Sequence, residues 1–367
     1  MNNRTTKQAV ACTKTATLRG KLTDGITMAK RLLVAVALAV AFFGSAYAQQ
    51  QVAVLQRGDS VLGVYYGVNS FIDAMNASAN GDIITLSGGT FNSPTYGNAL
   101  SKALTIRGAG AVEDTARGIL PTIFTGNFYC DNIPATATYH LTVEGVMFVG
   151  YLSRPVGGNF TIQSPEFIRC IFNDNSNTIS LNNGIYVNCV FKKSTSTGNG
   201  YNNGTFTNCV LWGDAGDNGT INLNNCVVRT YEDLNINAYN TIFFRRSSAS
   251  GVTDGIGSNL YNCVLIGVTL SNVLNSTNTV LPADSLSAVF ATFTNSSNDI
   301  NHSTSYALTD SAAANFLGID GTQVGIYGGA MPFGYVPTYN VIRRCTVAPR
   351  STADGKLSVD IELETEQ

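Results

Sequence analysis

A four-residue phrase recurs through the middle of the chain and limits what it can fold into. It reads Asn188-Cys189-Val190-Phe191, Asn208-Cys209-Val210-Leu211, Asn225-Cys226-Val227-Val228 and Asn262-Cys263-Val264-Leu265. Arg169-Cys170-Ile171-Phe172 is the same phrase with Arg first, and Asn240-Thr241-Ile242-Phe243 has Thr for Cys. The phrases fall one per period, with Cys/Thr at positions 170, 189, 209, 226, 241 and 263, so the steps are 19, 20, 17, 15 and 22 residues. A period near twenty with one short apolar strand per turn is the mark of a solenoid.

The rung itself can be read from Ile185 to Phe191. Two short apolar strands flank Asn188. Asn tolerates a left-handed backbone better than other non-glycine residues, so it is expected at a sharp bend between strands, its amides stacked from rung to rung. Continuous alternation through the bend predicts Ile185, Val187, Cys189 and Phe191 inward, with Tyr186 and Val190 outward. Polar, turn-rich stretches separate the phrases: 173–178, 194–203, 213–219 and 247–257. No helical pattern intervenes between strands, which excludes a βαβ fold, and the hexapeptide pattern of left-handed β-helices is absent. The expected fold is an all-β, right-handed parallel β-helix.

Eight Cys are present, five of them one rung apart. Metal sites need clustered ligands such as C-x-x-C. Disulfides need converging Cβ atoms, whereas stacked equivalents lie parallel at about 4.8 Å. The reading is a ladder of buried free thiols, supported by Thr241 at the same position. Cys130 and Cys345 lie outside the ladder and are left open as a pair.

Residues 28–48 read as a secretory signal peptide. Met28-Ala29-Lys30-Arg31 is the basic start, Leu32 to Phe43 the apolar run, and Ala46-Tyr47-Ala48 the small-x-small cleavage signal. The apolar run is short for a membrane span, so the expectation is export and a mature chain from Gln49, without a membrane span. Residues 1–48 are thus a leader, 49–335 the solenoid and 336–367 a C-terminal β tail. Only 13% of residues are charged and the net charge is −2, which argues against nucleic acid as a partner.

At the N-terminal end, 67–79 carries Val68, Phe71, Ile72 and Met75 at helical spacing, a helix that could plug the solenoid. Asp82-Ile83-Ile84-Thr85-Leu86, Gly89-Thr90-Phe91 and Leu104-Thr105-Ile106-Arg107-Gly108-Ala109-Gly110 follow. That order resembles the first coils of the pectate-lyase-like right-handed β-helix superfamily. Gly318-Ile319-Asp320-Gly321-Thr322-Gln323-Val324-Gly325-Ile326-Tyr327-Gly328-Gly329 resembles the ending of secreted β-helix proteins of host-associated Gram-negative bacteria. The resemblance spans roughly 65–335 and implies fold rather than activity. It also implies a secreted, surface or periplasmic location. Beyond Pro337, 340–347 and 356–363 read as two strands, which could form a small terminal hairpin, a cap or the start of a further β domain.

Superfamily members that cleave polysaccharides carry clustered carboxylates for calcium with an Arg or Lys base, or paired Asp with Gly-His-Gly. This chain has no Asp-Asp pair, no Gly-His-Gly and two His, His140 and His302. Asp214, Asp217 and Asn218 are a calcium candidate, but the match to a calcium loop is poor and a solvated loop is the better reading. Tyr139 and His140 beside Glu144 could serve acid–base chemistry, or simply begin a strand running to Phe148. Arg229, Glu232, Arg245 and Arg246 lie on successive coils, as a basic face for an acidic glycan or an ion-paired surface. Trp212, Tyr201 and Tyr231 are candidates for stacking on sugar rings, although Trp212 could equally be buried beside Leu211. The expectation is a non-catalytic exported β-helix, an adhesin or glycan-contacting scaffold for polysaccharide or host-surface glycan, needing no cofactor unless calcium. The alternative is a polysaccharide lyase or related carbohydrate-active enzyme.

Overall fold

The computed structural model describes residues 51–136, 138–153, 161–173, 180–192, 203–212, 221–230, 236–245, 259–268, 277–294, 302–337, 341–347 and 359–364. The fold is an all-β parallel β-helix. Two long sheets run its length, one of 11 strands and one of 10. Each rung gives one strand to each. In one rung, Thr205–Thr207 joins the first sheet and Val210–Trp212 the second, with Asn208 and Cys209 between. A third side appears as short parallel pairs, Phe128–Tyr129 with Leu152–Ser153 and Thr161–Gln163 with Ser180–Asn182.

The bend between the sheets is left-handed in rung after rung: Arg169, Asn188, Asn208, Asn225, Asn240 and Asn262 have φ between 51° and 55°. The corner reading of the Asn ladder therefore holds. One expectation about phase does not. Tyr186 is fully buried in the inner core, while Ile185 is 44% exposed. A single left-handed residue breaks the two-residue alternation, so the inward set is Tyr186, Cys189 and Phe191. Other rungs follow: Phe206, Cys209 and Leu211, then Leu223, Cys226 and Val228.

Like positions stack along the interior. Phe148, Phe172 and Phe191 lie ring on ring, with centroids 5.2 and 4.7 Å apart. Phe167, Tyr186 and Phe206 do the same at 5.7 and 4.5 Å. Such rows bury large apolar areas with few rotamers to fix.

Val190 does point out of the solenoid, as expected, yet it is buried. With Ile171, Val210, Val227, Ile242 and Val264 it forms an apolar row on the outer side of the second sheet. The chain after the last rung covers this row through helix α2 (Leu286–Val289), Phe290, Phe293, Tyr306, Val324 and Ile326.

At the N-terminal end helix α1 (Ser70–Ala77) buries Phe71, Ala74 and Met75 against the first rungs. Val68 lies outside it, 46% exposed. Lys102 Nζ donates to the carbonyls of Met75, Asn76 and Ser78 at 2.7–3.2 Å, placing a cation at the helix C-terminus. The antiparallel hairpin Val52–Arg57/Ser60–Tyr66, absent from the sequence reading, extends the first sheet beyond Ile83–Leu86. At the C-terminus Val341–Val347 pairs antiparallel with Val359–Glu364, the expected hairpin. No helix of the described residues is long and apolar enough to cross a membrane.

Candidate functional site

The titratable groups that come together lie on the outer side of the first sheet near its early rungs. Glu144 ends the strand Thr142–Glu144, in register with Arg107 on one side and Ile168 on the other. Arg169 occupies the corner position that Asn holds in later rungs. Its Nη1 donates to Glu144 Oε1 at 3.1 Å, and both side chains are about nine-tenths buried. A buried carboxylate needs such a partner, because desolvation alone would neutralise it. His140 Nε2 lies 3.5 Å from Glu166 Oε2, with both side chains partly exposed. The structure thus pairs His140 with Glu166, one rung on, and not with Glu144. Tyr139 packs instead against the inner core. His140 precedes the strand, which starts at Thr142. His140 and Glu166 stay partly open to solvent, whereas Glu144 and Arg169 hold each other.

The thiol ladder has its own bonding pattern. Each sulfur approaches the carbonyl two residues back and the carbonyl of the inward residue one rung earlier. Cys209 Sγ lies 3.3 Å from Thr207 O and 3.4 Å from Tyr186 O. Cys226 Sγ repeats this on Asn224 O and Phe206 O. Thr241 fits because its hydroxyl performs the same bonding: Oγ1 donates to Tyr239 O at 2.9 Å and accepts from Cys226 N at 3.2 Å. Cys130, Cys170, Cys189, Cys209, Cys226 and Cys263 are all buried and free, so Cys130 forms no disulfide. Burial pushes the Cys263 thiol up to about 12 and those of Cys130, Cys170 and Cys209 upward as well. At Cys189 burial acts the same way, but the hydrogen bonds with Cys170 and Cys209 carry that thiol downward, so it is burial itself that shields all six from reagents.

The remaining candidates separate. Arg229 is wholly buried on the outward side of its strand, in register with Phe244, whose ring packs 5.1 Å from Phe293. Arg245 follows Phe244, has the opposite strand phase and stands in register with Thr230. The two therefore do not share an exposed basic face. Trp212 ends a strand in register with Arg229. Tyr201, Tyr231, Asp214, Asp217 and Asn218 lie outside the described residues, as do Glu232 and Arg246. Among the described residues no group of three His, Cys, Asp or Glu side chains is placed to hold a metal ion.

The Gly318–Gly329 motif has a place the sequence did not reveal. It runs back along the Asn corner, from the last rungs towards earlier ones. Asn262 Nδ2 donates to Leu317 O at 3.5 Å, and Asn240 Oδ1 accepts from Ile319 N at 3.0 Å. Asn208 Nδ2 donates to Ile326 O and Gly328 O, both at 2.8 Å, and Asn188 Nδ2 to Pro332 O at 3.4 Å. The Asn ladder is therefore a latch for a C-terminal strap, residues 316–337, as well as a row of bends. No known protein family, curated protein or solved structure matches this chain.

Proposed function

We propose that the chain is an exported, non-catalytic β-helix of the pectate-lyase-like kind, acting at the cell surface or outside the cell as a glycan-contacting scaffold or adhesin. One observation carries this reading: the described rungs spend their repeated positions on bends, thiols and apolar packing, and the buried Glu144 and Arg169 on an ion pair with each other. The leader supports export, through the basic start at Lys30-Arg31 and the Ala46-Tyr47-Ala48 signal. N-terminal sequencing of the exported protein is expected to begin at Gln49; a mature chain retaining 1–48 overturns that part.

A second reading, polysaccharide lyase, is favoured by the partly exposed His140–Glu166 pair. One experiment separates the two. The purified protein is incubated with uronate-containing polysaccharides, with and without calcium, and the absorbance of a new uronate double bond is followed. Reducing-end release from neutral glycans is measured alongside. The scaffold reading expects binding without either product. Double-bond formation lost in His140→Ala establishes the lyase.

A further inference from the structure

The outer side of the first sheet changes character along the stack. Its early rungs carry Arg107, Glu144 and Glu166. From Thr205 onward the outward positions are neutral. One row runs Thr205, Asn222, Asn237, Asn259 in unbroken register. Its neighbour runs Thr207, Asn224, Tyr239, Tyr261. All eight are at least partly exposed, while Phe206, Leu223, Ala238 and Leu260 between them face the core.

The amides are ordered. Asn237 Nδ2 donates to Asn222 Oδ1, and Asn259 Nδ2 to Asn237 Oδ1, each at 3.1 Å. A carboxamide has two N–H groups and an oxygen with two lone pairs. The ladder uses one of each on Asn237, which leaves one donor and one acceptor. That is the complement of a hydroxyl group, which also donates and accepts. The rungs repeat at about 4.8 Å, so the pattern is linear and periodic. Beside it the Tyr239 and Tyr261 rings stack at 4.9 Å with 3° between planes, and Tyr239 is 37% exposed. Both amides and rings are held by their neighbours before any ligand arrives, which lowers the entropy lost on binding.

A ligand matched to this face is uncharged, rich in hydroxyls, extended, and offers C–H surface to an aromatic wall. An acidic glycan fits poorly, since neither row supplies a cation to replace water around a carboxylate or sulfate. A strand-adding peptide would use a sheet edge and not its face. We propose that the last four rungs of the first sheet form a platform for a neutral polysaccharide lying along the stack. Its hydroxyls engage the Asn222–Asn237–Asn259 ladder and a sugar face rests on Tyr239 and Tyr261. This deepens the glycan-contacting reading and rests on it.

The test is retardation of the full exported protein in native gels cast with dextran, laminarin, galactomannan or xyloglucan, and with polygalacturonate or chondroitin sulfate for comparison. Asn237→Ala, Tyr239→Ala and Tyr261→Ala are run beside Thr90→Ala, an exposed site on the other sheet. Circular dichroism and light scattering establish that each is folded and report its mass. The expected result is retardation by at least one neutral polysaccharide, insensitive to salt. It weakens about tenfold or more in each of the three variants and is unchanged in Thr90→Ala. Neutral-glycan binding that survives all three substitutions overturns the platform and leaves the glycan-contacting reading intact. Binding only to the acidic polymers, abolished by salt, overturns it too. Silence on every polysaccharide overturns the platform and the function reading together. A change of oligomeric mass in the variants would make this face a contact between copies of the chain, and would also overturn it.

Discussion

Asn208 shows how one side chain can serve two purposes. Its backbone bends at φ 51°, and its amide holds two strap carbonyls at 2.8 Å. Substitutions separate the two. Asn208→Gly keeps the bend and loses the latch, so denaturant unfolding should show a loss of about 1–2 kcal/mol. Asn208→Ala adds the cost of a left-handed backbone for a residue with Cβ and should lose about 2–4 kcal/mol. Equal losses would mean that the latch alone matters. The thiol ladder offers a second residue-scale test. Thr241→Cys should be close to neutral, whereas Thr241→Val removes the acceptor for Cys226 N and should cost about 1–3 kcal/mol. Alkylation of the native protein at pH 8, read by peptide mass, should leave Cys130, Cys170, Cys189, Cys209, Cys226 and Cys263 unlabelled until denaturant is added.

The N-terminal hairpin, paired to the first sheet along its strand, has a polar anchor as well. Arg57 grips Asp82 with two bonds at 2.7 and 2.9 Å, and Asp82 also accepts from Ala79 N at 2.7 Å. This ties the N-terminal hairpin to the turn after α1. The Arg57 guanidinium holds the Asp82 carboxyl below its usual range. A lowered folded value means that the contribution is fully present above the unfolded value, about pH 4, and is lost as pH falls through the folded one. Thermal melts should show the wild-type advantage over Asp82→Asn at neutral pH shrinking in acid below about pH 4. An advantage that persists unchanged at pH 2 would refute the assignment. In the strap, Gly328 is confined. A Cβ there would collide with the Gln323 carbonyl and sit 2.8 Å from Asn225 Nδ2. Gly328→Ala should therefore release the strap, seen as faster proteolysis near 316–337.

For the whole molecule, the strap alters cooperativity. A solenoid is nearly one-dimensional, each rung resting on its neighbours. The strap crosses that order by bonding to the rungs of Asn262, Asn240, Asn208 and Asn188 and covering the apolar row on the second sheet. It should make the later rungs unfold together. Loosening it with Gly328→Ala combined with Asn208→Gly is expected to lower the slope of the denaturant transition or split it into two steps. A transition merely shifted, with the same slope, would show that neighbouring rungs suffice.

Several of these features are legible in the sequence. Repetition of Asn announced the corners, because few other side chains tolerate φ near 50°. Thr standing in for Cys announced a buried position without a disulfide. The helix at Ser70–Ala77 followed from its spacing. The exposed amide and tyrosine rows are not legible there, although Asn222, Asn237 and Asn259 differ from the apolar phrase around them; their alignment exists only once loops of unequal length are closed. The burial of Arg229 was hidden for a similar reason, since it depends on what covers its strand. Bends and strand alternation act between adjacent residues, so the sequence by itself determined the rung, its period and its core thiols. The phase on the far side of each bend, the neutral face and the latch were decided by the tertiary structure. Asn208 and Ile326 are 118 residues apart, and only folding brings the amide to the carbonyl it holds.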